Sequence, residues 1–374
     1  MNILYLNHNF ENEGTFYRCF FIARELVKIG HTVTIITVSN NSPQYIVKTK
    51  IRDGVKIVLL PSAREKKDFF FYILRPLLSL YFVLTEKYDV IHAFAVARIL
   101  TAFPFRIMSI IKRTEQLFVD WDDFYSEDGF CRLRPFTWVM VPLMNYLEQN
   151  IPKHADKITV VSTFLNDKAK EYGLNNVNIF QIPNSCDTEG IKPLNKKECR
   201  KIVNLEDDKI VLVYMGRVHH SFKKLYDSFI KLELKGILLL CIGEFNEPYD
   251  RKENVLFTGH IGHEEISYYL GAADILLMPM ENNSIEKARW PIRFGDYLSA
   301  GRPVVSTGIG EVGKTIEKYR CGINVNRTED MCSESLKILE DKEKIDRFKI
   351  NARKAAEELS WMNAAKEMNK LYEQ

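Results

Sequence analysis

No Cys-x-x-Cys pair occurs in this 374-residue chain, and its seven cysteines (19, 131, 186, 199, 241, 321 and 332) are scattered and odd in number. That speaks against a disulfide framework and against a zinc site, and suits a reducing compartment. Charge of one sign is lacking as well. The 52 Lys and Arg are balanced by 49 Asp and Glu, and the net +3 gives no global field for nucleic acid. No Gly-x-Gly-x-x-Gly follows the first apolar run, which counts against a dinucleotide-dependent oxidoreductase. A basic segment with a long apolar core is missing at the N-terminus, so a secretory signal is not expected. Met1-Asn2 leads directly into Ile3-Leu4-Tyr5-Leu6, which reads as the first strand of a fold. Apolar runs of the roughly 20 residues needed to span a bilayer are also absent. The nearest is 69–84, FFFYILRPLLSLYFVL, interrupted by Arg75-Pro76. It reads either as a buried helix or as a helix lying on a membrane surface, aided by Lys66, Lys67 and the basic flank 106–113.

What is present is alternation. Short apolar strands (2–7, 32–37, 56–60, 90–92, 116–120, 157–161) alternate with helical patterns, including 17–28, 69–84 and 134–153. Such alternation implies a parallel, doubly wound sheet. A charged, Pro-containing stretch at 183–208 breaks the pattern and reads as an inter-domain link. Beyond it strands at 210–215, 236–242, 255–257, 275–278, 303–307 and 322–325 alternate with helices again. The length suits two domains. The division expected is 1–185, 186–355 and a closing helical segment, 356–374.

Several clusters could carry chemistry. Residues 289–307, RWPIRFGDYLSAGRPVVST, read as a Pro-containing turn, a helix bearing Asp296, an Ala300-Gly301 stop and a strand. Helix starts beyond the strand ends of such sheets hold phosphate. Upstream, Tyr214-Met215-Gly216-Arg217 ends a strand, with Lys223-Lys224 following. An Arg fork and a nearby Lys hold a diphosphate through charge-assisted hydrogen bonds and stabilise it as a leaving group. The plain alternative is a solvated basic helix start. Gly14-Thr15 after the first strand lets backbone approach a phosphate or sugar, or is an ordinary turn. Asp120-Trp121-Asp122-Asp123 follows another strand. Its carboxylates could orient acceptor hydroxyls, assist a positive sugar or bind a cation, or simply cap a helix.

This ordered set resembles the GT-B retaining glycosyltransferases of family 4. It includes Pro183-Asn184-Ser185-Cys186-Asp187, Ala155-Asp156 with Val161-Ser162, Ala273-Asp274 and Pro279, and runs from Met1 to about residue 330. The resemblance implies two Rossmann-like domains facing a cleft, with the last helix, opened by Trp361, packing back on the first. It implies a nucleotide-diphosphate sugar as donor, with no further cofactor or metal required. Arg217 and Lys223 would contact the diphosphate and act in catalysis with Asp122. Gly14, Thr15, Gly216, Lys224, Arg293, Asp296 and Tyr297 would hold the donor, Asp296 taking the ribose hydroxyls unless it pairs with Arg293. His92, Asp120 and Asp123 would stand on the acceptor side, although a strand-end His such as His92 can equally be buried. A carbohydrate or lipid-linked acceptor in polysaccharide or glycolipid synthesis follows by the same analogy. So does a cytoplasmic setting, with the inner face of the membrane as its surface. Departures from the family pattern (Ala288 in place of a second Glu, Ser185 in place of Gly, no His at 120–123) leave a non-catalytic sugar-nucleotide-binding protein as the alternative. An epimerase on the same fold would need an acid/base set that the sequence does not place.

Overall fold

The computed structural model describes residues 1–41, 43–62, 68–126, 128–133, 140–174, 178–216, 220–232, 235–245, 249 and 252–374. The chain divides into two units. Unit 1 is Met1–Pro183 with Trp361–Gln374, and unit 2 is Asn184–Ser360.

Unit 1 begins with β1 (Asn2–Phe10), whose residues Ile3, Leu4, Tyr5 and Leu6 are all buried. A strand apolar on both faces belongs in a parallel sheet covered by helices. In α1 (Thr15–Lys28) Phe16, Cys19, Phe20, Ala23 and Leu26 recur at helical spacing and enter the core. There follow β2 (Thr32–Val38), β3 (Lys48–Arg52), β4 (Val55–Leu60), α2 (Asp68–Thr85), β5 (Val90–Phe94), α3 (Ile99–Ile111) and β6 (Gln116–Trp121). Then come α4 (Val141–Asn150), β7 (Lys157–Val160), α5 (Thr163–Glu171) and β8 (Asn178–Gln181). The sheet order is β3-β4-β2-β1-β5-β6-β7-β8, parallel except for the β3–β4 pair. From β1 the chain winds first towards β2 and later towards β5. The order therefore reverses between β1 and β5, and beyond their carboxyl ends lies the position where open α/β sheets bind ligands. The edge strand β3, Lys-Thr-Lys-Ile-Arg, is exposed throughout. Its charge suits an edge and hides it from an apolar-pattern reading.

The apolar segment forms α2. Phe71, Arg75, Ser79 and Val83 point inward, whereas Phe70, Ile73, Leu77 and Tyr81 are 66%, 60%, 52% and 61% exposed. The buried reading thus holds for one face only. Arg75 stays inside because its Nε donates to the Pro61 carbonyl at 2.7 Å. Among the described residues no helix is long and apolar enough to cross a membrane.

Unit 2 contains α6 (Lys196–Ile202), β9 (Ile210–Met215), α7 (His220–Lys231), β10 (Ile237–Ile242), β11 (Val255–Gly259), α8 (His263–Gly271) and β12 (Ile275–Met278). It continues with α9 (Ser284–Ala288), α10 (Ile292–Ser299), β13 (Val304–Ser306), α11 (Gly310–Tyr319), β14 (Gly322–Asn324), α12 (Met331–Leu339) and α13 (Lys342–Glu358). Its parallel sheet runs β11-β10-β9-β12-β13-β14 and reverses between β9 and β12. Within the stretch read as a link, 196–202 is helical. The Asn195 side chain accepts from the amides of Lys197 and Glu198, and Arg200 is buried against Asp274. The last helix, α14 (Trp361–Tyr372), belongs to unit 1. It packs on α1 with Trp361 stacked on Phe21 at 5.3 Å.

Candidate functional site

In unit 2 the candidate residues gather at the reversal between β9 and β12. Gly216 directly follows β9 with φ +152°, and a side chain there would strike the Arg293 guanidinium. Arg293, on the second residue of α10, donates through NH1 to the Met215 carbonyl at 3.0 Å and lies over the Tyr214 ring at 5.4 Å. Its Nε is buried and unpartnered, and no carboxylate bonds to it among the described residues. The expected alternative, an internal Asp296–Arg293 pair, does not form. The guanidinium is half-buried and feels the Glu286 charge only through space, that carboxylate being bonded to Arg289, so this corner favours an anion. Lys223 and Lys224 lie in the first turns of α7. Lys223 is exposed, and Lys224 stands 3.6 Å from Glu281. Arg217, the other expected diphosphate contact, lies outside the described residues.

Asp296 sits in the second turn of α10, 6% exposed. Burial pushes its carboxyl up to about 7; the nearby His263 opposes this and Asp187 adds to it. Tyr297 is displaced from the role expected of it. It is fully buried, its hydroxyl accepting from the Met215 amide at 2.8 Å and donating to Leu277 O at 3.3 Å. It ties β9 to β12 below the site and offers no face to a donor. Glu286, close to the register of the missing second acid, is held by Arg289 at 2.6 Å. Trp290 is packed inside, 1% exposed.

In unit 1 the acidic cluster separates by role. Asp120 is fully buried, and its two oxygens accept from Arg18 Nε and NH2 at 2.8 Å each. Thr159 Oγ1 donates to it as well, at 2.5 Å. His92 is equally enclosed, with Nδ1 2.7 Å from Tyr372 Oη and Nε2 3.3 Å from Thr159 Oγ1. Burial lowers its pKa to about 3, keeping the ring neutral. Neither residue faces an acceptor, since Arg18, Thr159 and Tyr372 occupy their polar atoms; they hold the sheet together. Asp122 differs, being 5% exposed with an Oδ1 that is buried and unpartnered. Burial, then the Asp120 charge, raises its carboxyl to about 6, while the neighbouring Thr15 hydroxyl at the start of α1 moderates this. Gly14, the N-cap of α1 at φ +51°, is exposed, and a side chain there would collide with Asn9. Asp123 is half-buried beside Tyr125. Pattern reading missed Arg18, His8 and Arg98, which carry no motif. Only the crossing of β1, β5 and β6 brings them to these strand ends. Among the described residues no group of three or more His, Cys, Asp or Glu is placed to hold a metal ion.

Two doubly wound units, each with polar residues at its point of strand reversal, define a GT-B scaffold. The family profile described as Glycosyltransferase Family 4 matches residues 14–189, and that described as Glycosyl transferases group 1 matches residues 195–355. The chain belongs to the group 1 glycosyltransferases. A Bacillus subtilis protein carrying the provisional name of teichuronic acid biosynthesis glycosyltransferase is 24% identical over 229 residues, 58% of this chain and 57% of its own length. The chain spans about half the length of the curated relatives it matches. Among solved structures, sucrose-phosphate synthase from Thermosynechococcus elongatus superposes with a TM-score of 0.78 at 16% identity, covering 100% of this chain and 98% of that one. Anabaena HepE in complex with UDP-glucose gives 0.66 at 13% identity, covering 99% of both. At these identities the likeness is one of fold.

Proposed function

We propose that the chain moves a sugar from a nucleoside-diphosphate sugar bound by unit 2 to a hydroxyl acceptor bound by unit 1, with retention of configuration. The observation that carries this is Arg293, a half-buried guanidinium bonded to no carboxylate among the described residues, laid against Gly216 where the sheet of unit 2 reverses. Binding of UDP-glucose by the similarly folded HepE supports the same donor class. Arg293, Arg217 and Lys223 then neutralise the diphosphate as the sugar–oxygen bond breaks. Asp296 accepts from the ribose hydroxyls. Asp122, with its unpartnered oxygen and raised pKa, takes the acceptor's proton or steadies the positive sugar. No further cofactor is called for. The acceptor is a carbohydrate or a lipid-linked glycan of envelope polysaccharide or glycolipid synthesis, and the exposed apolar face of α2 rests on the inner membrane surface, making the protein cytoplasmic and peripheral. The second reading, a sugar-nucleotide-binding protein without turnover, is favoured by Ala288 and by the sequestering of Glu286.

A melting-temperature screen against UDP, GDP, ADP and CDP, with and without divalent metal, tests the donor site. A diphosphate at 100 times its dissociation constant stabilises by about 2.7 kcal/mol. One nucleotide is expected to raise the melting temperature, and Arg293→Ala to abolish the rise. No shift with any of the four refutes the donor assignment. Turnover of the matching nucleotide sugar then separates transferase from binder, and the anomeric configuration of the product tests retention.

A further inference from the structure

The sheet of unit 1 has its own point of reversal, between β1 and β5, and the residues beyond it are not accounted for by the donor. Arg98 follows β5 and is the N-cap of α3. Its Nε is buried without a partner, NH1 reaches only the Met144 sulfur at 3.8 Å, and the guanidinium lies over the Tyr125 ring at 5.0 Å. No carboxylate bonds to it among the described residues, whereas Arg18 is fully matched to Asp120. His8, at the end of β1, completes the corner. Its Nε2 is 3.0 Å from Tyr125 Oη, and burial followed by the Arg98 charge lowers its pKa to about 3.

The turn that presents Arg98 is held in an uncommon shape. Ala95, directly after β5, has φ +58°, a left-handed conformation that costs an alanine energy. It is locked by its amide donating to Asp120 O at 3.0 Å and by Thr101 Oγ1 donating to its carbonyl at 2.9 Å. An arginine half out of water, stacked on a tyrosine and lacking a counter-ion, is the arrangement that recognises phosphate or carboxylate. The start of a 13-residue helix adds amide donors at the same place.

We infer that Arg98, with His8 and Tyr125 beside it, binds an anionic group of the acceptor, a phosphomonoester or a carboxylate, so that the acceptor is a charged sugar rather than a neutral one. This rests on unit 1 holding the acceptor, as proposed above. Asp122, directly after the neighbouring β6, then meets the hydroxyl while Arg98 holds the anion.

The test uses the full chain with its histidine ring resonances assigned. Inorganic phosphate, glucose 6-phosphate, glucuronate and glucose are titrated and followed at the His8 ring, with a saturating nucleoside diphosphate present so that anions taken up by unit 2 do not register. If no nucleotide binds, the titration is run on Arg293→Ala instead, which keeps failure of the donor reading separate. Phosphate and at least one charged sugar are expected to shift the His8 resonances, while glucose does not. Arg98→Gln weakens these at least tenfold, Arg98→Lys restores part of the loss, and both keep the wild-type nucleotide response and the circular dichroism of a folded chain. Equal affinity for glucose and the charged sugars, no anion response at His8, or a response unchanged in Arg98→Gln each overturns the inference. Should Arg98→Gln fail to fold, the comparison of charged with neutral sugars on the wild type decides alone.

Discussion

Asp120 and Asp122 show how two acids of one motif take different work. Asp120 has both oxygens matched by Arg18 and a third bond from Thr159. Removing Arg18 leaves a buried carboxylate without compensation, so Arg18→Ala should lower stability by about 3–5 kcal/mol in denaturant titration. Asp122→Asn should do the reverse, since it removes a charge that burial and Asp120 already disfavour. Its melting temperature is expected to hold or rise, while transfer falls by roughly a hundredfold or more. A large stability loss in Asp122→Asn would show that it, too, is structural. Asp296 makes a pH-dependent case. With a folded pKa of about 7, above its ordinary value, it is protonated in the folded protein on the acid side of neutrality. Ribose hydroxyls donate best to the ionised form. Nucleotide affinity should therefore fall as pH drops through 7, and calorimetry on Asp296→Asn should give a weaker but flat profile. The same raised pKa means that the ionised carboxylate costs the unliganded fold above neutrality. That cost is relieved as pH falls from about 7 towards 4, and the variant lacks this gain.

At the scale of elements, strands apolar on both faces and helices with one apolar stripe were legible because burial writes itself into periodicity. The exceptions have physical reasons. β3 is an exposed, charged edge strand, and α6 is held by a cap and by the buried Arg200–Asp274 pair more than by apolar content. In the site, Gly216 and Asp296 could be read because backbone geometry and spacing place them. Arg98 and His8 could not, because a residue's lack of a partner is a property of three dimensions. α2 lies between these cases: the sequence showed its apolarity, and only packing shows that Phe70, Ile73, Leu77 and Tyr81 remain outside. If that face rests on a membrane, Ile73→Asp with Leu77→Asp should reduce sedimentation with anionic vesicles severalfold and leave the melting temperature nearly unchanged, because both positions are already in water. Undiminished sedimentation would remove α2 from the membrane proposal.

On the whole molecule, the path of the chain makes the first unit dependent on the last helix. Trp361, Ala365, Met368 and Tyr372 lie in the same core as Phe16, Phe20 and Phe21, and Tyr372 also bonds to His92 and Tyr5. Lys157 Nζ donates to the Leu371 carbonyl, so the end of α14 is tied to β7 by a polar bond too. Deleting one large buried aromatic costs about 3–5 kcal/mol, a large part of the total of a typical domain. Residues 1–183 alone should accordingly fail to fold cooperatively, while 184–360 alone should fold and retain the nucleotide response. The two crossings run side by side, the Cys186 amide donating to Leu359 O at 2.8 Å, so the ends at 183 and 361 leave unit 2 from neighbouring positions. Joining 183 to 361 through a short Gly/Ser linker should therefore restore a cooperative transition to unit 1. Cooperative unfolding of 1–183 without α14 would show that the aromatic contacts of Trp361 and Tyr372 are dispensable. The closing helix would then be an accessory to the unit and no part of its core.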